Sequence, residues 1–212
     1  MKRSIFKLFP TLIEYYENFL TSQECLKILS FCLDQQSILS KHNIINGDGV
    51  SSHYSLDCVD ILDKLEKNDK TFKNLKKKIK NSLNLYSKEN ACGGLDLGNS
   101  WCNIYQKNSS LLTHVHPDSI VSGALFINVD EFSPSLYFFN PNPHVHFLPT
   151  YESSEYNYNY VKFKPAIGSM IIFPSWLFHG SHGEINYTKN RVVISFNSIK
   201  SGVRSMDRTG VF

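Results

Sequence analysis

Three histidines and an arginine are the residues whose types and spacing could do chemistry in this chain. The segment Thr113-His114-Val115-His116-Pro117-Asp118 carries two of the histidines one residue apart. The third, His179, closes the string Phe173-Pro174-Ser175-Trp176-Leu177-Phe178-His179, and Arg191 opens Arg191-Val192-Val193-Ile194-Ser195-Phe196-Asn197. On a strand, side chains at i and i+2 share a face, so His114 and His116 could take adjacent positions on one metal ion. A third ligand from a distant strand would complete one face of the ion and leave the opposite face open, the geometry of non-haem Fe(II) oxygen chemistry. A fixed guanidinium nearby is a bidentate partner for a carboxylate co-substrate.

Two ligand sets are open. His116, Asp118 and His179 make the usual pair of imidazoles with one carboxylate. His114, His116 and His179 make an all-imidazole set. An extended strand cannot close all four on one ion without a bulge. His182 is a competing distal ligand. A second tripeptide, His144-Val145-His146, has the same spacing but sits in a loop-like stretch after Pro143; it reads as surface or substrate loop, so spacing alone does not define the site.

At these residues the chain resembles the 2-oxoglutarate/Fe(II) oxygenases of bacteria and tailed phages. Their pattern runs His-x-His-Pro, then Ser-Gly with an apolar strand, Phe-Pro-Ser-Trp-Leu-x-His, and Arg-x-x-x-Ser-Phe-Asn. Here it is met by His114 to Pro117, Ser122-Gly123-Ala124-Leu125-Phe126, Phe173 to His179, and Arg191 to Asn197, with weaker likeness at Leu8-Phe9-Pro10-Thr11. The match covers about the C-terminal half of the chain. The family string favours His114, His116 and His179 as ligands, leaving Asp118 as an acceptor that orients a ligand imidazole. The resemblance implies Fe(II) as metal, 2-oxoglutarate as co-substrate and O2 as oxidant, with release of succinate and CO2. It implies that Arg191 binds the distal carboxylate, and Ser195 and Asn197, on the same strand face, are candidates to share that work. Relatives often carry tyrosine where this chain has Phe126; Asn103, Tyr105 and Asn128 are candidates to replace its hydroxyl. Trp176 and Phe178 are expected to wall the site.

The elements that must position these residues change character along the chain. Thr21-Ser22-Gln23-Glu24 is a capping box, opening a helix to about Leu33 that buries Cys25, Leu26, Leu29 and Cys32. Ile5 to Phe9 reads as a short strand, residues 36–56 as a loop, and Asp57–Glu66 and Phe72–Tyr86 as helices, the latter with Leu75, Ile79, Leu83 and Tyr86 on one face. Asn90 to Gly98 is a turn-rich joint. Short strands follow at 99–106, 111–116, 119–129, 135–139, 159–164, 168–174 and 191–199. Helices first and strands later predict an α+β fold. Seven or eight strands fit a cupin-like jelly roll, and the resemblance implies the same double-stranded β-helix, with N-terminal helices packed on one sheet. The expected organisation is a single domain over 1–212, with 1–98 as mainly helical support and 99–200 as jelly-roll core.

Composition narrows the function classes. The chain has 212 residues, 42% hydrophobic and 19% charged, an ordinary globular balance. No run of 18 apolar residues predicts a membrane span, and Ile5 to Phe9 is too short for a signal-peptide core. Five cysteines without a Cys-x-x-Cys pair read as reduced thiols in a cytoplasmic protein, the host cytoplasm if phage-encoded. A net charge of +3 is too mild to call for nucleic acid, and the lysine-rich stretch Lys70 to Lys80 reads as a solvated helix face. The tyrosine-rich stretch Tyr151 to Tyr160 reads as a lid or an irregular β connection. The leading expectation is a 2-oxoglutarate-dependent hydroxylase acting on a prime substrate that is a protein side chain, a nucleobase or a small metabolite. A non-catalytic jelly-roll protein and a cupin-like metal enzyme without 2-oxoglutarate are the alternatives. A cupin wants a glutamate four or five residues after its His-x-His, where this chain has Ile120 and Val121.

Overall fold

Alternation on the strands and an i, i+3, i+7 stripe on the helices sort the apolar residues into two cores, one on each face of a large antiparallel sheet. The computed structural model describes residues 3, 10–53, 60–147, 152 and 154–202. The expected strand at Ile5 to Phe9 lies outside the described residues.

In chain order the elements are β1 (Glu14–Tyr16), α1 (Ser22–Asp34), β2 (Ile45–Asn46), β3 (Gly49–Ser51), α2 (Ile61–Asn68), α3 (Leu75–Asn90), β4 (Leu95–Tyr105), β5 (Ser110–Leu111), β6 (Val121–Asn128), β7 (Leu136–Phe139), β8 (Tyr160–Phe163), β9 (Met170–Pro174), β10 (His179–Gly180) and β11 (Arg191–Lys200). The major sheet runs β1-β9-β6-β11-β4-β3, the minor sheet β10-β7-β8, and β2 pairs with β5. Every strand pairing is antiparallel. The two sheets face each other as a double-stranded β-helix, an α+β jelly roll with its helices on the outer face of the major sheet.

The helices form where the sequence supplies caps. Thr21 Oγ1 accepts from the Glu24 amide at 3.2 Å, and Glu24 Oε2 accepts from the Thr21 amide at 2.8 Å, satisfying two amides that the first turn leaves unpaired. Asp60 caps α2 by accepting from the Leu62 and Asp63 amides, and α3 ends at Ala91 in the left-handed conformation (φ 50°). In α1 the buried stripe is Cys25, Ile28 and Cys32, with Leu29 half-buried. Leu26 is 66% exposed, against expectation, because the seven-residue stripe set by Cys25 and Cys32 passes through Ile28. In α3 the expected face of Leu75, Ile79, Leu83 and Tyr86 is buried, and Tyr86 Oη donates to the Leu12 carbonyl at 2.9 Å. Of the lysine stretch, Lys76 pairs with Asp63, Lys80 with Asp96, and Lys78 donates to the Phe19 carbonyl.

Strand β9 shows how the sheet divides the cores. Met170 and Ile172 point to the helices, while Ile171 and Phe173 point into the jelly roll. The inner core adds Tyr105, Ala124, Phe126 and Val193 from the major sheet and Leu136 and Phe138 from the minor sheet. Gly123 is required where β6 passes under Phe196, because a Cβ there would stand 2.2 Å from the ring. Three expectations are corrected. The stretch taken as a loop at 36–56 contains β2 and β3, and β3 extends the sheet by pairing Gly49 with Tyr105. The joint at 90–98 already enters β4 at Leu95. The strand expected at 111–116 ends at Leu111. Beyond it the amides of Leu112, His114 and His116 bond three separate carbonyls, of Ile44, His179 and Ser175, and Pro117 brings no amide to continue. No helix of the described residues is long and apolar enough to cross a membrane.

Candidate metal centre and co-substrate pocket

The irregular segment after β5 does what a regular strand could not. The His114 and His179 amides and carbonyls bond each other reciprocally at 2.9 and 3.1 Å, and the His116 amide bonds the Ser175 carbonyl at 2.9 Å. Residues far apart in sequence are thereby pinned with their side chains facing. Ring centroids lie 4.3 Å apart for His114 and His179, 5.0 Å for His116 and His179, and 5.1 Å for His114 and His116. One ring nitrogen from each falls within 4.8 Å of the others, a group able to hold a metal ion.

The hydrogen bonds fix which nitrogens are offered. His114 Nδ1 lies 2.9 Å from the Leu112 carbonyl and His179 Nδ1 2.9 Å from the Leu177 carbonyl. A carbonyl only accepts, so both Nδ1 atoms carry the proton and both Nε2 atoms present lone pairs. His116 Nδ1 lies 2.6 Å from Asn197 Oδ1, and its Nε2 is 3.2 Å from His114 Nε2. Burial, with little compensation, lowers the pKa of all three rings, that of His116 to about 4, so the rings are neutral and able to ligate.

Asp118 is not brought to this group. It is exposed and occupies a left-handed turn (φ 59°) beyond Pro117, where the alternation that would have aimed it inward has stopped. The side chain that meets the His116 ring behind Nε2 is Asn197. His182 is exposed and lies among Tyr137, Phe139 and Tyr160 on the outer face of the minor sheet. His144 is exposed, and the His146 side chain lies outside the described residues.

From the imidazoles a pocket runs between the sheets along β4 and β11. Trp101, Asn103 and Tyr105 alternate onto it from β4, and Ser195, Val193 and Arg191 face it from the partner strand, paired in that order. Arg191 is 4% exposed, its Nε has no hydrogen-bond partner among the described residues, and its guanidinium carbon lies 4.6 Å from the Tyr105 ring. Burial pulls its pKa down, opposed by its hydrogen bond with Tyr105. Asn103 Nδ2 donates to Ser195 Oγ at 3.2 Å, leaving Asn103 Oδ1 unpartnered, and Trp101 Nε1 is also unpartnered. Buried polar groups are almost always paired, so three orphans along one pocket mark where a polar ligand belongs. An orphaned guanidinium nitrogen suits a carboxylate, and three imidazole lone pairs suit a divalent transition metal; iron and an oxo-dicarboxylate both fit the residues present.

Several expected contacts fall elsewhere. Asn128 Nδ2 donates to the carbonyls of Lys189 and Asn190, away from the pocket. Asn197 turns to His116 rather than to the co-substrate end. Trp176 and Phe178 are each 56% exposed, because alternation turns Ser175, Leu177 and His179 inward and these two outward. Trp101 escaped the sequence reading, although its i, i+2, i+4 relation to Asn103 and Tyr105 was a usable signal.

The fold is a double-stranded β-helix with three convergent imidazoles, able to hold one metal ion, at one end of a pocket and a buried guanidinium at the other. Residues 99–197, just under half of the chain, match the family described as "Putative 2OG-Fe(II) oxygenase". Among solved structures, the fold is similar to the non-haem α-ketoglutarate-dependent epimerase SnoN of nogalamycin biosynthesis (TM-score 0.58, 12% identity, covering 90% of this chain and 77% of that one). It is also similar to a Pseudomonas putida prolyl-4-hydroxylase (TM-score 0.54, 14% identity, 91% and 94% covered). HygX from Streptomyces hygroscopicus, with nickel and 2-oxoglutarate bound, is a third (TM-score 0.54, 11% identity, 91% and 84% covered). No curated protein sequence matches the chain.

Proposed function

We propose that this protein is an Fe(II)- and 2-oxoglutarate-dependent dioxygenase that hydroxylates a prime substrate, and that His114, His116 and His179 are its metal ligands through Nε2. The observation that carries the assignment is the donor set. Three neutral imidazoles, each with Nδ1 committed to an oxygen, turn their remaining lone pairs toward one point. Iron held there supplies oxygen activation coupled to conversion of 2-oxoglutarate to succinate and CO2.

The chain's own residues bind and orient. Arg191 takes the distal carboxylate as a bidentate partner, and Tyr105 braces the guanidinium from its ring face. Asn103 contributes a second contact. A carboxylate-bearing ligand has no proton for the orphaned Oδ1, so with ligand present the amide turns over: Oδ1 accepts from Ser195 Oγ and Nδ2 donates to the ligand. The apolar lining of Phe126, Phe173 and Leu136 excludes water around these polar contacts.

The decisive experiment is succinate formation from 2-oxoglutarate by protein loaded with Fe(II) under anaerobic conditions and then exposed to air. Succinate that depends on iron, air, His179 and Arg191 is expected. Metal binding without succinate would leave a metal-binding jelly roll and overturn the reading.

A further inference from the structure

We propose that Asn197 is a positioning residue that locks His116 in the tautomer a metal ion needs; this rests on His116 being a ligand. His114 and His179 have their tautomers set by backbone carbonyls, which can only accept. His116 has no such carbonyl. Its Nδ1 faces a side-chain amide, and an amide offers an acceptor at one end and a donor at the other.

The choice matters because of what lies on the other side of the ring. His116 Nε2 is 3.2 Å from His114 Nε2, which carries a lone pair. Were His116 protonated at Nε2, it would donate to His114 and close the site with a hydrogen bond where an ion should sit. Its Nδ1 would then be bare and would need a donor. The orientation of one amide therefore decides between a closed imidazole pair and an open set of lone pairs.

Three contacts turn the oxygen of Asn197 to the ring. Asn197 Oδ1 accepts from Ser122 Oγ at 2.8 Å as well as from His116 Nδ1 at 2.6 Å, and Asn197 Nδ2 donates to Asn99 Oδ1 at 3.1 Å. Ser122 is fully buried and is itself held by Ser175 Oγ at 2.7 Å. The backbone adds an independent reason. The pairing of β11 with β4 shifts register between Phe196 and Ser198, at Asn197, while Asn197 stays paired with Ser122 of β6. The irregularity releases Asn197 from pairing with β4 without breaking the sheet, and its side chain keeps the inward face it shares with Ser195. The consequence is two lone pairs held against each other, a repulsion that a bound cation relieves.

The test uses the metal-free full chain and the ion Co(II). Nitrogen-15 and carbon-13 spectra of labelled histidine read the tautomer. Wild-type His116 is expected in the Nδ1–H form; in Asn197→Leu it should shift to Nε2–H, with Co(II) affinity reduced roughly 10- to 100-fold, the usual effect of losing a partner behind a ligand. Asn197→Asp, which can only accept, should restore the Nδ1–H form. Nδ1–H retained in Asn197→Leu, or unchanged Co(II) affinity, overturns the proposal. Should Asn197→Leu not fold, Asn99→Ala combined with Ser122→Ala frees the amide to turn, and an Nε2–H fraction that fails to rise overturns it equally. His179→Ala is measured alongside. If it binds Co(II) like wild type, the ligand assignment itself fails; if it loses Co(II) while Asn197→Leu does not, only the role of Asn197 fails.

Discussion

Replacing Arg191 should separate co-substrate binding from metal binding and, at the same time, stabilise the empty protein. The guanidinium is 4% exposed, no carboxylate among the described residues lines the pocket around it, and Tyr105 is its aromatic partner. Removing one side of a desolvated, charge-assisted pair costs about 2–5 kcal/mol. At 1.4 kcal/mol per tenfold, that is roughly a 30- to 4,000-fold loss of 2-oxoglutarate affinity. Without ligand the balance reverses. A buried cation lacking a counter-ion is a liability, and an apolar side chain of similar length is neutral to stabilising, by about 1 kcal/mol or more. For a chain of this size 1 kcal/mol corresponds to about 2–4 °C in melting temperature. Arg191→Met should therefore bind Co(II) like wild type, melt no lower without ligand, and lose 2-oxoglutarate in isothermal titration of the Co(II)-loaded protein. Arg191→Lys should recover only part of the affinity, since a point charge lacks the planar fork. Unchanged 2-oxoglutarate affinity in Arg191→Met would refute the co-substrate assignment. A large drop in the melting temperature of the ligand-free variant would refute the claim that the charge stands uncompensated.

Four further outcomes are expected. Asp118→Asn, which keeps a residue tolerant of the left-handed turn, should leave Co(II) affinity unchanged while His114→Ala abolishes it; the reverse pattern would restore the two-histidine, one-carboxylate set. Saturating wild-type protein with Co(II) at 100 times its dissociation constant should add about 2.7 kcal/mol, or about 5–11 °C in a thermal scan, and a chelator should remove it; a metal-independent melting temperature would count against a site that spans the fold. Gly123→Ala places a Cβ 2.2 Å from the Phe196 ring and should cost about 1–3 kcal/mol in chemical denaturation, with no effect being the contrary result. Burial, aided by the charge of Glu24, pushes the Cys25 thiol up to about 11. The folded state then holds its proton more tightly than the unfolded state, so this group's stabilisation is complete below the ordinary thiol range and declines as pH rises toward 11; rapid alkylation of native Cys25 at pH 8 would contradict it.

Much of this arrangement was legible in the sequence because periodicity and caps are local. The Thr21–Glu24 capping box and the stripe of Leu75, Ile79, Leu83 and Tyr86 needed no tertiary information. The convergence of His114, His116 and His179 was legible because they sit in strings whose order reflects strand pairing. What stayed hidden depended on partners remote in sequence. Whether Asp118 faced inward turned on where regular extension stopped, and that was set by bonds to Ile44, His179 and Ser175. Asn197 and Arg191 share a face of β11, as alternation requires, yet serve opposite ends of the pocket, because five residues of strand separate them. The two short strands within 36–56 carry no periodicity of their own and form only because β4 and β5 offer edges.

The absence of any carboxylate among the described residues lining the pocket has a consequence for what can enter it. A divalent ion on three neutral ligands keeps its whole charge, and Arg191 adds another, so the cavity is a well of positive potential walled by low-dielectric side chains. Such a well focuses field lines outward and raises the local concentration of small anions, and its interior is screened far less by salt than a surface patch would be. A doubly charged acid is drawn in more strongly than its singly charged monoester. The same attraction extends to sulfate, phosphate and citrate, so under the proposed function ordinary buffer anions compete with 2-oxoglutarate, and the choice of buffer will shift its apparent affinity.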